Sequence, residues 1–140
     1  MKKYKTVIDT NVILSALRSN KGASSKLISL MPKNKFTFNI SVPLILEYES
    51  ILTREIKNLK LNLNDVEIFI DYVCKVGKKY RIHYLWKPFL KDPKDDFILE
   101  LAYTSESNFI VTFNKKDFKG ANEFGIEVIT PKDFLKLLEK

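Results

Sequence analysis

Short strand-like runs alternating with helix-like stretches constrain this chain more than any other feature. "YKTVID", "KFTFNIS", "RIHYL", "FIVTFN" and "IEVIT" read as strands. Between them, "NVILSALRS" and "ASSKLISLM" have helical spacing, parted by Gly22 and stopped by Pro32. "SVPLILEYESILTREI" reads as a helix with Ser41 as its cap and Pro43 in the first turn. "LNDVEIFIDYVCKVGKKY" is amphipathic and ends near Gly77, "KDDFILELAYTSE" is helical, and "PKDFLKLLEK" starts at Pro131. "WKPFLKDP" is the clearest loop. Strands separated by helices require crossover connections, so the expected class is α/β: a central, mostly parallel sheet flanked by helices in three layers. In such sheets ligands gather beyond the carboxyl ends of the strands. Asp9 stands at one such end, and "TFNKKD" at another.

With 140 residues, the chain is most economically one domain spanning 1–140. Its apolar runs are far short of a membrane span, and Asp9 interrupts the start where a secretory segment would stay apolar, so a cytoplasmic location is expected. One cysteine, Cys74, excludes an intrachain disulfide and reads as a buried thiol; with the lone His83 it cannot build a zinc site. The net charge of +7 points to a polyanionic partner, although lysine-rich surfaces also serve solubility.

The carboxylates carry the chemistry. Asp9 admits two readings: a cap for the helix that follows, or part of a reactive site. Thr10 and Asn11 are equally good caps, so the first reading does not require Asp9. Glu47 has Leu44 and Ile51 as helical neighbours and borders the stripe facing the sheet, while Glu49 lies on the other margin. The pattern leaves both open. In "KDPKDDFILELA", Asp92 is explained as a cap before Pro93. Asp95 is followed at helical spacing by Ile98, Leu99 and Ala102 and is expected on the buried margin. Asp96 shares a side with Glu100 and Tyr103 and is expected on the wetter one, as a helper or a solvated acid. "VTFNKKDF" adds Thr112, Asn114 and Asp117 beyond a strand, where Asp117 could also simply cap a turn.

Two carboxylates about 4 Å apart repel by roughly 4 kcal/mol at an effective dielectric near 20. A cluster without basic partners therefore calls for a proton or a cation. Oxygen-only ligands suit magnesium or manganese, which can polarise a phosphodiester and activate water. Acids in a pocket with lysines around it match a metal-assisted phosphodiester hydrolase.

In this order, "VIDTNVILSAL", "SVPLILEYESIL", "KDPKDDFILELAYTSESNFIVTFNKKDF" and "FGIEVITPKDFL" resemble a PIN-domain ribonuclease, particularly the VapC-like toxin subunits of type II toxin–antitoxin pairs. The likeness runs from near residue 4 to near residue 138. It implies a divalent-metal-dependent endoribonuclease using Mg2+ or Mn2+, with RNA as substrate, a cognate antitoxin as partner and a possible homodimer. By position, Asp9 matches the first family acid, Glu47 the second, and Asp95 the third with Asp96 as the competing alignment. At the fourth, many relatives carry an acid where this chain has Asn114, and Asp117 substitutes three residues later. Thr10, Asn11 and Thr112 match supporting polar positions. Lys115, Lys116 and Lys119 are the first candidates for phosphate contacts, whereas Lys2, Lys3 and Lys5 can be explained by solvation alone. Phe113 and Tyr48 offer base stacking against the competing role of core packing.

Other readings fit less well. A phosphatase with Asp9 as nucleophile wants an acid two residues on, where Asn11 stands, and four glycines form no dinucleotide-binding turn. The strongest alternative is a PIN-like module that binds RNA or protein without cutting.

Overall fold

The computed structural model describes residues 3–81 and 93–139; for 93–95 it describes the backbone alone. Lys5–Ile8 (β1) is buried on both faces, with Thr6, Val7 and Ile8 fully buried. A strand of that kind must be covered on both sides and flanked by other strands. Thr37–Ile40 (β2) pairs with it on one edge and Phe109–Val111 (β4) on the other. Lys78–Lys79 (β3) extends the sheet beyond β2, and Glu127–Ile129 (β5) beyond β4. The order is β3-β2-β1-β4-β5, and every pairing is parallel.

Seven α-helices are present among the described residues: Thr10–Arg18 (α1), Ala23–Leu30 (α2), Val42–Arg54 (α3), Ile56–Leu59 (α4), Leu63–Val76 (α5), Pro93–Thr104 (α6) and Pro131–Leu138 (α7). Their starts follow local chemistry. Ser41 accepts a hydrogen bond from the Leu44 amide at the head of α3. Asn62 and Asp65 form a reciprocal capping box on α5, and Thr130 caps α7 ahead of Pro131. The helices and sheet make the expected three-layer α/β fold, with α6 packed on β1, β2 and β4. No helix among the described residues is long and apolar enough to cross a membrane.

A short strand that the sequence pattern does not announce lies at Lys78–Lys79, directly after α5, while the strand expected in "RIHYL" lies, beyond Arg81, outside the described residues. Gly77 makes this turn possible: a Cβ there would stand 2.9 Å from Ile40 Cδ1 and from the Val73 carbonyl. Without that atom, the chain leaves α5 and pairs at once with Asn39 and Ile40 of β2. Arg81 is not in a strand, and residues 82–92, with His83, most of the expected loop and the Asp92 cap, lie outside the described residues.

The chain adds strands outward from β1 through β2 to β3, then returns to lay β4 on the free edge of β1. The direction of winding reverses between β1 and β4, and a crevice opens at the carboxyl ends of such neighbours.

Candidate active site

Asp9 is the first residue beyond β1 and Thr112 the first beyond β4. The Asp9 amide donates to the Val111 carbonyl at 2.9 Å, closing the two strand ends together. Extended backbone at Asp9 (φ −67°, ψ 151°) starts α1, and its carboxylate is shared. Oδ1 accepts from the Thr10 amide at 2.7 Å, and Oδ2 accepts from the Thr112 hydroxyl at 2.7 Å. Asp9 is therefore both the helix cap and a fixed group at the reversal point, and the two readings of the sequence are compatible.

Burial is the main cause raising the Asp9 pKa above its ordinary value. The hydrogen bonds from Thr112 and Thr10 oppose it, and the negative charges of Asp117 and Glu47 reinforce it. Asp117 and Glu47 thus lie within electrostatic reach of Asp9. No lysine or arginine is ion-paired to Asp9 or Asp117 among the described residues.

Thr112 is fully buried and works as a hub. Besides donating to Asp9, its hydroxyl accepts from the Asn114 amide at 3.0 Å and from Asn11 Nδ2 at 3.3 Å. Asn11 Oδ1 in turn accepts from the Phe113 amide at 3.5 Å. Thr10 contributes its backbone; its own hydroxyl is buried without a hydrogen-bond partner among the described residues.

Glu47 and Glu49, which periodicity left equivalent, separate in the fold. Glu47 is half-buried and Glu49 is exposed. Between them, Tyr48 is completely buried, and its hydroxyl donates to the Ile8 carbonyl. This bond ties α3 to the end of β1, next to Asp9. Burial first and the Asp9 charge second push the Tyr48 phenol well up, so it stays protonated. A ring with no exposed surface cannot stack on a base, so Tyr48 is a core residue. Phe113, 47% exposed, keeps that option.

Asp117 sits in the 3-10 turn Lys115–Phe118, which the buried Phe118 anchors. It is exposed, and no side chain caps this turn. Asn114, Lys115, Lys116 and Lys119 are exposed around it.

The expectation for Asp96 is overturned. Asp96 and Glu100 are buried, at 7% and 3% exposed, whereas Tyr103 is half exposed. α6 is enclosed by β1, β2 and β4 and also touches α3 and the Lys115–Phe118 turn, so its dry side is far wider than a single stripe. Ile98, Leu99 and Ala102 are buried as expected, but the Asp95 side chain lies outside the described residues. Glu100, expected with Asp96 on the wetter side, is not among the site candidates that the sequence offers. An acid inside "FILELA", one turn from Asp96, was its signal.

Among the described residues, no three Asp, Glu, His or Cys side chains converge closely enough to hold a metal ion. The donor chemistry nevertheless fits a hard divalent cation. Around Asp9 it consists of oxygens: the Asp9, Glu47 and Asp117 carboxylates and the orphaned Thr10 hydroxyl. The charges that Asp117 and Glu47 impose on Asp9 are those a cation would relieve.

A family model described as PIN domain matches residues 5–116, a span that begins with β1 and ends one residue short of Asp117. No curated protein matches the chain.

Proposed function

The chain belongs to the PIN domain family, a nuclease-type fold that generally depends on divalent metal ions, and on that premise we propose that it is an endoribonuclease hydrolysing RNA phosphodiester bonds. The observation that carries this reading is the buried Asp9 at the winding reversal, hydrogen-bonded to Thr112 and within electrostatic reach of Glu47 and Asp117. Asp9, Glu47, Asp95 and Asp117 would hold Mg2+ or Mn2+. When bound, that cation supplies charge stabilisation for the phosphate and lowers the pKa of the attacking water. Thr112 and the Thr10 amide fix both Asp9 oxygens, so the carboxylate meets its ligand without rearranging. Asn11, Asn114 and Asp96 support the site. Lys115, Lys116 and Lys119 line its approach and hold backbone phosphates, a contact that positions RNA without reading its sequence. The cellular role is that of a cytoplasmic toxin, restrained by a cognate antitoxin and able to form a homodimer.

Cleavage of a mixed RNA substrate, with Mg2+ or Mn2+ and with chelator, tests the reading. Metal-dependent cutting by the native chain and none by Asp9→Asn is the expected result. Paired variants Asp95→Asn and Asp96→Asn decide the third acid, with the larger loss expected at Asp95. Because Asn114 replaces an acid and Asp117 is solvent-exposed, the second reading is a binding module. RNA retention without cleavage under either metal selects that reading.

A further inference from the structure

The loop after β4 carries two phenylalanines with opposite surroundings. Phe118 is buried and anchors the Lys115–Phe118 turn, whereas Phe113 leaves 47% of its surface in water. We propose that Phe113 is the platform on which an unpaired base of the bound RNA stacks, beside the phosphate that Asp9 serves.

A lone exposed ring is ordinary on a protein surface, but the setting of this one is not. Phe113 directly follows Thr112, whose hydroxyl bonds the Asp9 carboxylate at 2.7 Å. Consecutive Cα atoms stand about 3.8 Å apart, so the ring is rooted close to that carboxylate. The backbone beneath it is held on both sides. The Phe113 amide donates to Asn11 Oδ1 at 3.5 Å, and the Asn114 amide donates to the Thr112 hydroxyl at 3.0 Å. A ring on a fixed root, with few bonds left to turn, loses little entropy when a ligand covers it. No other ring packs on Phe113 among the described residues; the largest aromatic cluster, around Phe109 and Phe134, is rooted at the opposite end of β4. The charge beside the ring selects the class of ligand. Lys115, Lys116 and Lys119 are exposed in the same loop, against the single acid Asp117. Cations attract a polyanion, and a flat apolar ring favours planar groups; a nucleic-acid strand is both. A base inside a duplex has both faces covered, so the ring takes an unpaired one. The ring offers no hydrogen bond and accepts any of the bases.

The inference rests on the nuclease reading for its ligand, so binding is measured apart from cleavage. The probes are a mixed-sequence RNA of about 12 nucleotides and an abasic strand with the same number of phosphates. Each is titrated by fluorescence anisotropy into the full chain carrying Asp9→Asn. Adding Phe113→Leu is expected to weaken the RNA about tenfold or more, the scale of one stacked base, and to change the abasic strand by less than about twofold. Circular dichroism and the slope of affinity against salt should stay unchanged, because no phosphate contact is lost. Phe113→Trp should restore tight binding. The indole it introduces, read in a Trp86→Phe background that removes the chain's single tryptophan, should be quenched by the RNA and not by the abasic strand. Equal weakening of both strands, a shallower salt slope or absent quenching overturns the proposal, as does a parent chain that binds neither strand. With Asp9 intact, metal-dependent cleavage at the same KM in Phe113→Leu as in the native chain sinks the platform and leaves the nuclease reading standing; base-dependent quenching without any cleavage does the reverse.

Discussion

Two groups of three carboxylates meet along α3, and they behave as different materials. Asp9, where β1 and β4 end, lies within electrostatic reach of Glu47 and Asp117; Glu49, Glu67 and Asp71 rim a groove between α3 and α5. Number and charge are the same. The first group has a member taken out of water, with both its oxygens bonded and its pKa raised by burial and by its neighbours. The second is exposed throughout. Desolvation, rather than the presence of acids, makes a carboxylate cluster seek a divalent cation, whereas a solvated rim is suited to the diffuse charge of lysine and arginine.

Substitution at Asp9 breaks this contrast most sharply. Asp9→Asn is expected to lower metal-dependent cleavage by about a thousandfold or more, the loss expected when a transition-state contact disappears. The same change is expected to stabilise the metal-free fold at pH above the raised Asp9 value. The folded-state pKa of Asp9 lies above its ordinary 3.8, so the folded form holds this proton more tightly than the unfolded one. That contribution is full below the ordinary value and lost as pH rises through the raised one, beyond which the folded form carries a buried charge. Removing that charge should raise the melting temperature in chelator in that upper pH range. A lowered melting temperature would contradict the assignment of burial as the dominant cause.

The two margins of α3 supply the next contrast. Glu47→Gln is expected to reduce turnover by about a hundredfold, and Glu49→Gln by less than about twofold, measured on one RNA under saturating metal. Comparable losses would erase the distinction between them. Thr112→Val keeps the shape and removes the donor to Asp9. About tenfold is expected from one charge-assisted hydrogen bond. The acid limb of the pH–rate profile should also move to higher pH, because the bond that lowers the Asp9 pKa is gone. Thr112→Ser should restore both. Tyr48→Phe should have the smallest catalytic effect, about twofold, with a melting temperature lower by about 3–5 °C for the lost buried bond to Ile8.

Much of this was legible in the sequence. Strand-like runs marked β1, β2, β4 and β5: β4 is apolar throughout, and "KFTFNIS" alternates as a strand does. Asp9, Thr112 and the "NKKD" turn stood out because polar residues right after such strands fall on one sheet edge. β3 was not legible because two lysines carry no strand signal; a missing Cβ at Gly77 and the edge of β2 create that strand. Asp96 and Glu100 were misjudged for a related reason. A helical wheel assumes one wet side, and α6 is enclosed by three strands and a turn. Glu47 and Glu49 could not be ranked until α5 was seen to flank one margin only.

The bond between Thr112 and Asp9 joins positions 103 residues apart. Because β1 lies mid-sheet, it is synthesised first yet finds its second neighbour only when β4 emerges, late in translation. A ribosome-bound nascent chain lacking that last neighbour has its leading acid held at Oδ1 by the Thr10 amide but without the Thr112 hydroxyl on Oδ2. Order of synthesis thus delays completion of the Asp9 environment until most of the polypeptide has been made.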